Sequence, residues 1–263
     1  MTGIFFMALP QMAKADPGDI GDPRSSYELG YANKLEGKTV IISVFVNTPS
    51  TVWTAEDIED SRKKLSTACD YICDSACNYD KQVSFIYDYN DDASLKYRTW
   101  VNFEADSDNF EEAVDQRIQY YVNRVVNFDS TLESYNADNV FIMLYFKAPG
   151  RAYSIVYDGE DIPEESLIVY SDSTASVYAH EMLHLFGAHD FYAGAEYSRD
   201  VIDYIEKYYA DDIMYSVAES NGRITAKIAD ITAYHLGWLD SVNAVSKYPE
   251  LDRNLNRIEE DNE

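Results

Sequence analysis

The sequence predicts an α/β (α+β) fold: a twisted, mostly parallel sheet with an antiparallel edge strand, helices packed on it, and a small, mainly helical and loop-like C-terminal subdomain. Three observations carry this. Strand-like and helix-like segments alternate over the first half of the chain, the pattern of a parallel sheet with crossover helices. One strand-like run, Asn139 to Lys147 (NVFIMLYFK), is apolar almost without interruption, as a strand buried on both faces must be. Two shorter strand-like runs follow it and are expected to close the sheet as its antiparallel edge.

The elements can be justified in order. Lys38 to Asn47 (KTVIISVFVN) is rich in β-branched residues and ends before Pro49 and Ser50, so it reads as a strand. Thr54 can cap the next helix, with Asp57 three residues on; that helix should run to about Asn78. Gln82 to Tyr89 (QVSFIYDY) is a second strand. Ser107 to Asn127 carries Phe110, Val114, Ile118, Tyr121 and Val125 at helical spacing, with Ser107 as its N-cap. After the central strand, Pro149-Gly150 turns the chain. Arg151 to Tyr157 and Ser166 to Ser171 are the two late strands, and a helix starts at Ser173 or Thr174. From Gly187 the chain reads as loop until Ile224, where a last helix reaches Leu239. Residues 246–263 are highly charged and are expected to fray.

Composition narrows the functional classes. A chain of 263 residues, 46% of them apolar, can bury a substantial core. Its net charge of −26 opposes binding to phosphate backbones and anionic lipid, so nucleic acid is not an expected partner. Residues 1–15 combine a short apolar stretch with a signal-peptidase-like Ala13-Lys14-Ala15, though without a basic start. They imply a secreted protein. No other stretch is apolar for long enough to span a bilayer, so stable membrane insertion is not expected. Cys69, Cys73 and Cys77 recur every four residues along one helix stripe, where they are badly oriented for a disulfide and read as packing residues. The expected organisation is a leader and linker or pro-segment over 1–37, one domain over 38–245 divided at Gly187 (38–187 and 188–245), and a tail from 246. The chain is expected to act as a monomer.

The chemistry is concentrated between His180 and Asp190. Three of the four histidines lie there, in the run His180-Glu181-Met182-Leu183-His184-Leu185-Phe186-Gly187-Ala188-His189-Asp190. Histidines four apart share one helix face and can grip one metal ion. Glu181 points elsewhere, so it can reach a metal-bound water rather than the metal. Gly187 can end the helix in a left-handed turn, which would bring Ala188, His189 and Asp190 back toward the metal. A third ligand from that segment would leave one coordination position open, as catalytic zinc requires.

His180-Glu181-x-x-His184-x-x-Gly187-x-x-Asp190 resembles the motif of the metzincin clan of zinc peptidases. Aspartate at the last position is similar to the snapalysins and the immune-inhibitor-A-type peptidases, and Asp190-Phe191-Tyr192 resembles the Asp-x-Tyr of the latter. Asp211-Asp212-Ile213-Met214-Tyr215-Ser216 resembles the clan's Met-turn, which would place Met214 beneath the metal. The segment Tyr234 to Leu239 is similar to a C-terminal helix of immune-inhibitor-A-like enzymes, with His235 a packing residue. The resemblance implies one Zn2+ held by His180, His184 and Asp190, with His189 the alternative third ligand. A gluzincin-like layout would instead take Glu196, with Asp200, or Glu206.

The function that follows is zinc-dependent endopeptidase: Glu181 as general base, a protein or peptide as substrate. The strand Ser166 to Ser171, with Leu167 and Val169, is expected to pair with an extended substrate. Tyr215 is a candidate for contact with the substrate and its oxyanion. No cysteine precedes residue 69, so latency through a cysteine is excluded in the N-terminal segment; Asp16, Asp19 or Asp22 could serve that role. The competing functions are a catalytically silent zinc-binding interaction module and a cell-surface interaction protein whose motif is accidental.

Overall fold

The computed structural model describes residues 30–105, 107, 110–156, 165–192 and 197–253. The leader, Asp16, Asp19, Asp22 and Glu196 lie outside these.

The sheet is organised by β1 (Gly37–Asn47), whose residues from Thr39 to Asn47 are all buried. On one side β1 pairs in parallel with β4 (Asn139–Phe146), which is buried at every position. On the other side its eleven residues are shared by two shorter parallel partners. β2 (Val83–Ile86) takes the first part and β3 (Lys96–Trp100) the second. The predicted strand over 82–89 therefore stops at Ile86, and a strand not anticipated from the sequence resumes the same edge ten residues later. β6 (Ser166–Tyr170) extends the sheet beyond β4 in parallel, and β5 (Tyr153–Ile155) closes it antiparallel to β6. The result is a mixed α/β structure: a mostly parallel sheet with an antiparallel edge strand, flanked by helices.

This order corrects one expectation about substrate contact. The edge strand is β5, not β6. Leu167 and Val169 lie between β4 and β5 or in the sheet core and are fully buried. They stabilise the sheet and do not face a substrate.

The long helix α1 (Ala55–Cys77) starts at a complete capping box, Thr54 with Asp57, which satisfies two otherwise unpaired N–H groups. Cys69 is buried on its inner face, while Cys77 at its end is exposed. α2 (Phe110–Arg124) follows Ser107, whose hydroxyl donates to Glu104 O at 2.8 Å. α2 guards the open edge of β3: Arg117 donates to Trp100 O and the Tyr121 hydroxyl to Arg98 O. Side chains thus occupy acceptors that a second strand would otherwise recruit. A further helix, α3 (Phe128–Tyr135), is capped by Asn127 and stopped by a left-handed Asn136.

Downstream of α4 (Ala175–His184) the chain is more ordered than its sequence suggested. α5 (Arg199–Tyr208) occupies part of the expected loop and buries Val201 and Ile205, one turn apart. A hairpin of β7 (Glu219–Ser220) and β8 (Arg223–Ile224) turns at Asn221-Gly222, both with positive φ, the pairing that a two-residue hairpin favours. The last predicted helix shortens to α6 (Asp230–His235), followed by α7 (Asn243–Lys247). Residues 246–253, expected to fray, instead pack: Leu251 is fully buried and its carbonyl lies 2.9 Å from His235 Nε2. Before β1, Ala32 and Leu35 are also buried, and Trp238 Nε1 donates to Leu35 O. Among the described residues no helix is long and apolar enough to cross a membrane.

Candidate metal centre

α4 begins at Thr174, whose side chain accepts from Val177 N, and it is buried along most of its length. One turn apart on it, the His180 and His184 rings lie edge to face, with centroids 4.7 Å apart. Each ring is oriented by a carbonyl. His180 Nδ1 lies 3.0 Å from Ile213 O, and His184 Nδ1 lies 2.7 Å from Ala188 O. A carbonyl only accepts, so Nδ1 carries a proton on both rings, and each ring when neutral presents its lone pair at Nε2. Those Nε2 atoms are 3.1 Å apart. At that distance two lone pairs repel unless a proton or a metal ion lies between them.

Gly187 ends the helix at φ 91°, a conformation that would strain any residue bearing a Cβ. The turn carries Asp190 back so that its Oδ1 lies 3.1 Å from His180 Nε2 and 3.3 Å from His184 Nε2. Ligands about 2.0–2.1 Å from a zinc ion and tetrahedrally arranged stand roughly 3.3 Å apart. The three atoms therefore match one face of such a site. Asp190 Oδ1 is also buried without a hydrogen-bond donor, the state of an oxygen shaped to meet a cation. His180, His184 and Asp190 form the group of three among the described residues that could hold a metal ion.

The other Asp190 oxygen is anchored. Tyr192 donates its hydroxyl to Oδ2 at 2.5 Å, and Arg151 Nη2 donates to the Tyr192 oxygen at 2.6 Å. Burial pushes the Asp190 carboxyl upward, but the two imidazoles and the Tyr192 hydroxyl outweigh it and hold the group well below the usual carboxylate range. Burial likewise works against a charged His180, but Asp190 and Glu181 outweigh it and raise that imidazole. Outer-shell partners that orient a ligand typically contribute tenfold or more to metal affinity. Tyr192→Phe is therefore expected to weaken zinc binding by about tenfold, measured by competition with a chromophoric chelator.

The other ligand candidates among the described residues are elsewhere. The His189 ring packs 4.9 Å from His235 and 6.3 Å from Tyr197 and does not join the group. Asp200 and Glu206 are exposed on α5. Beside the triad, buried Glu181 accepts a hydrogen bond at Oε2 from Ser154 Oγ, at 2.9 Å. The same hydroxyl reaches Glu181 O at 2.7 Å. Ser154 comes from β5, so the edge strand is tied directly to the helix that carries the histidines. Nothing in the local sequence marks Ser154, Arg151 or the Arg151–Tyr192 contact; only the strand order brings them to the site.

The turn of Asp212 to Ser216 is joined to the triad by hydrogen bonds. Ile213 supplies the carbonyl that orients His180, and Met214 is fully buried. Met214 O accepts from Phe191 N, which ties the turn to the segment carrying Asp190. The turn is shaped by the Asp212 carboxylate. It accepts from Met214 N, Ala229 N and the Thr232 hydroxyl while fully buried itself. Asp212→Ala would strand those donors at a cost of about 1–3 kcal/mol each, offset in part by removing a buried charge. A net loss of roughly 2–4 kcal/mol in chemical denaturation is expected. Burial raises the Asp212 carboxyl to about 6 from 3.8. A raised folded-state value contributes stability that is complete below pH about 4 and lost as pH rises through about 6. The deficit of the variant should thus be larger at pH 5 than at pH 8, by roughly 1 kcal/mol.

A cleft of about 730 Å³ is lined by His180, Glu181, His184 and Asp190, by Arg151 to Ser154, and by Ile213 with Tyr215 to Val217. Tyr215 is half-buried there.

No family model and no curated protein match the chain. Among solved structures it is similar to wild-type OgpA from Akkermansia muciniphila, with 11% sequence identity and a TM-score of 0.39 over 76% of this chain. The chain spans 60% of that protein's length. A likeness of that degree carries no functional argument, and the reading rests on the site.

Proposed function

We propose that the chain is a zinc-dependent endopeptidase of the metzincin type, acting on protein or peptide substrates. The observation that carries this reading is the convergence of His180 Nε2, His184 Nε2 and Asp190 Oδ1 on one point, with the Glu181 carboxylate beside them in an open cleft. The donor set suits zinc: two imidazole nitrogens and one carboxylate oxygen, all lining the cleft.

Bound there, zinc would supply Lewis acidity, lowering the pKa of a water and polarising the scissile carbonyl. The chain's own residues do the rest. Glu181 takes the proton from the attacking water at its carboxylate and returns it to the leaving nitrogen. Ser154 fixes the carboxylate through Oε2, so the base is held in place before substrate arrives. The Ile213 and Ala188 carbonyls keep both imidazoles in the tautomer that offers Nε2. Tyr192 holds Asp190 so that Oδ1 faces inward. β5 is the outer strand of the sheet and lines the cleft. An extended substrate can add to it by backbone hydrogen bonds, which places the scissile peptide over Glu181. On this reading the buried Met214 would serve as an apolar, polarisable floor to the site, and Tyr215, which lines the cleft, would meet the substrate.

The test is digestion of an unfolded protein by the zinc-loaded chain and by its Glu181→Gln variant. Cleavage by the first and not the second, chelator-sensitive and restored by zinc, is the expected result. If both forms hold zinc and neither cuts, the chain is a binding module and the peptidase reading fails.

A further inference from the structure

We infer that Arg151 forms an anion-binding subsite of this cleft and that the preferred substrates carry an aspartate or glutamate side chain close to the scissile bond. The inference rests on the peptidase reading and adds a substrate class to it.

The cleft wall contains one arginine and no lysine among its lining residues, and that arginine is exposed. Its surroundings are acidic: Asp172, Glu181 and Asp190 line the same cleft, and the chain carries a net charge of −26. A cation placed alone in such a setting is conspicuous, because the general field would draw in basic ligands and gives no reason for an arginine at the rim. Arg151 is also held in place. Nη2 donates to the Tyr192 hydroxyl at 2.6 Å, and the guanidinium carbon lies 5.9 Å from the centre of the same ring. That is its one hydrogen bond among the described residues, out of five N–H donors. A guanidinium fixed by one edge and directed into a cleft is preorganised for a carboxylate, which it can grip by two parallel bonds.

The position sets the reach. Arg151 is linked through the Tyr192 hydroxyl to Asp190 Oδ2, so it stands two hydrogen bonds from the carboxylate of the triad. It also lies two residues before β5, along which an extended peptide would run at about 3.3 Å per residue. A side chain within a residue or two of the scissile bond can meet it. At physiological salt, charges farther than about 8 Å are screened. The distant acidic surface then counts for little, and the local pair decides the preference.

The test uses the full zinc-loaded chain carrying Glu181→Gln, so that binding is read without turnover. Fluorescein-labelled peptides of one parent sequence carry Glu, Gln or Lys at each central position in turn, and binding is followed by anisotropy at 0.15 M salt. On the order of tenfold tighter binding of the best Glu peptide over its Gln counterpart is expected. Arg151→Gln should erase that ratio, and Arg151→Glu should shift preference to Lys. A ratio near one at every position, a ratio that survives Arg151→Gln, or absence of binding by all peptides overturns the subsite. Equal weakening of all three peptides by Arg151→Gln also overturns it, and assigns the arginine to holding Tyr192 alone. Cleavage by the Glu181 form separates the two readings. A retained Glu preference without cleavage defeats the peptidase reading alone; cleavage without a Glu preference defeats the subsite alone.

Discussion

Glu181→Gln is expected to lower kcat/KM for peptide cleavage by about a thousandfold while one zinc ion per chain is retained. General-base catalysis contributes on the order of 10²–10⁴, and the carboxylate of Asp190 is already engaged, presenting Oδ1 to the two imidazoles. Glutamine is close to isosteric and its amide oxygen can still accept from Ser154 Oγ, so the position of the side chain is preserved. What is lost is the ability to take a proton. Because the buried carboxylate is replaced by a neutral group, folding should not suffer. Steady-state kinetics together with metal analysis distinguishes the outcomes. A variant that still cuts at more than a tenth of the wild-type rate removes Glu181 from the role of base.

Asp190→Ala is expected to weaken zinc binding by more than a hundredfold, whereas His189→Ala leaves it within about twofold. The two residues are neighbours in sequence, but their side chains diverge. Asp190 Oδ1 stands 3.1 Å and 3.3 Å from the two imidazole nitrogens, while the His189 ring packs toward His235 and Tyr197. Losing a ligand outright should exceed the 10–100-fold typical of losing an outer-shell partner. It would also leave the Tyr192 hydroxyl and Arg151 without the carboxylate that organises them. Competition titration against a chelator of known affinity reads both variants on one scale. If His189→Ala loses the metal and Asp190→Ala does not, the third ligand is histidine and the geometry of the turn at Gly187 has been misread.

Much of the site is legible in the sequence because its geometry is local. The four-residue spacing of His180 and His184 fixes two rings on one helix face. A glycine three residues later permits the left-handed turn that returns Asp190. The unbroken apolar run after Asn139 places a strand at the sheet centre, and the Thr54–Asp57 box marks where α1 begins. Asn221-Gly222 is a hairpin signal whose two-residue arms have too little strand character to stand out from the surrounding loop. α5 carries Val201, Ile202 and Ile205 at helical spacing, so its period is present in the sequence, but it is only ten residues long and no side-chain cap bond marks its start.

What depends on long-range pairing is decided by the tertiary structure alone. Whether β5 or β6 forms the edge follows from register, and that choice removes Leu167 and Val169 from the cleft while bringing in Arg151 and Ser154. Asp212 reads as one acid beside another in the sequence, yet in the fold it becomes the buried acceptor for three donors and shapes the turn whose Ile213 carbonyl orients His180. Local spacing determines which atoms one helix presents, because backbone geometry repeats. Which distant side chains meet those atoms is set by strand order and burial, and neither leaves a periodic trace in the chain.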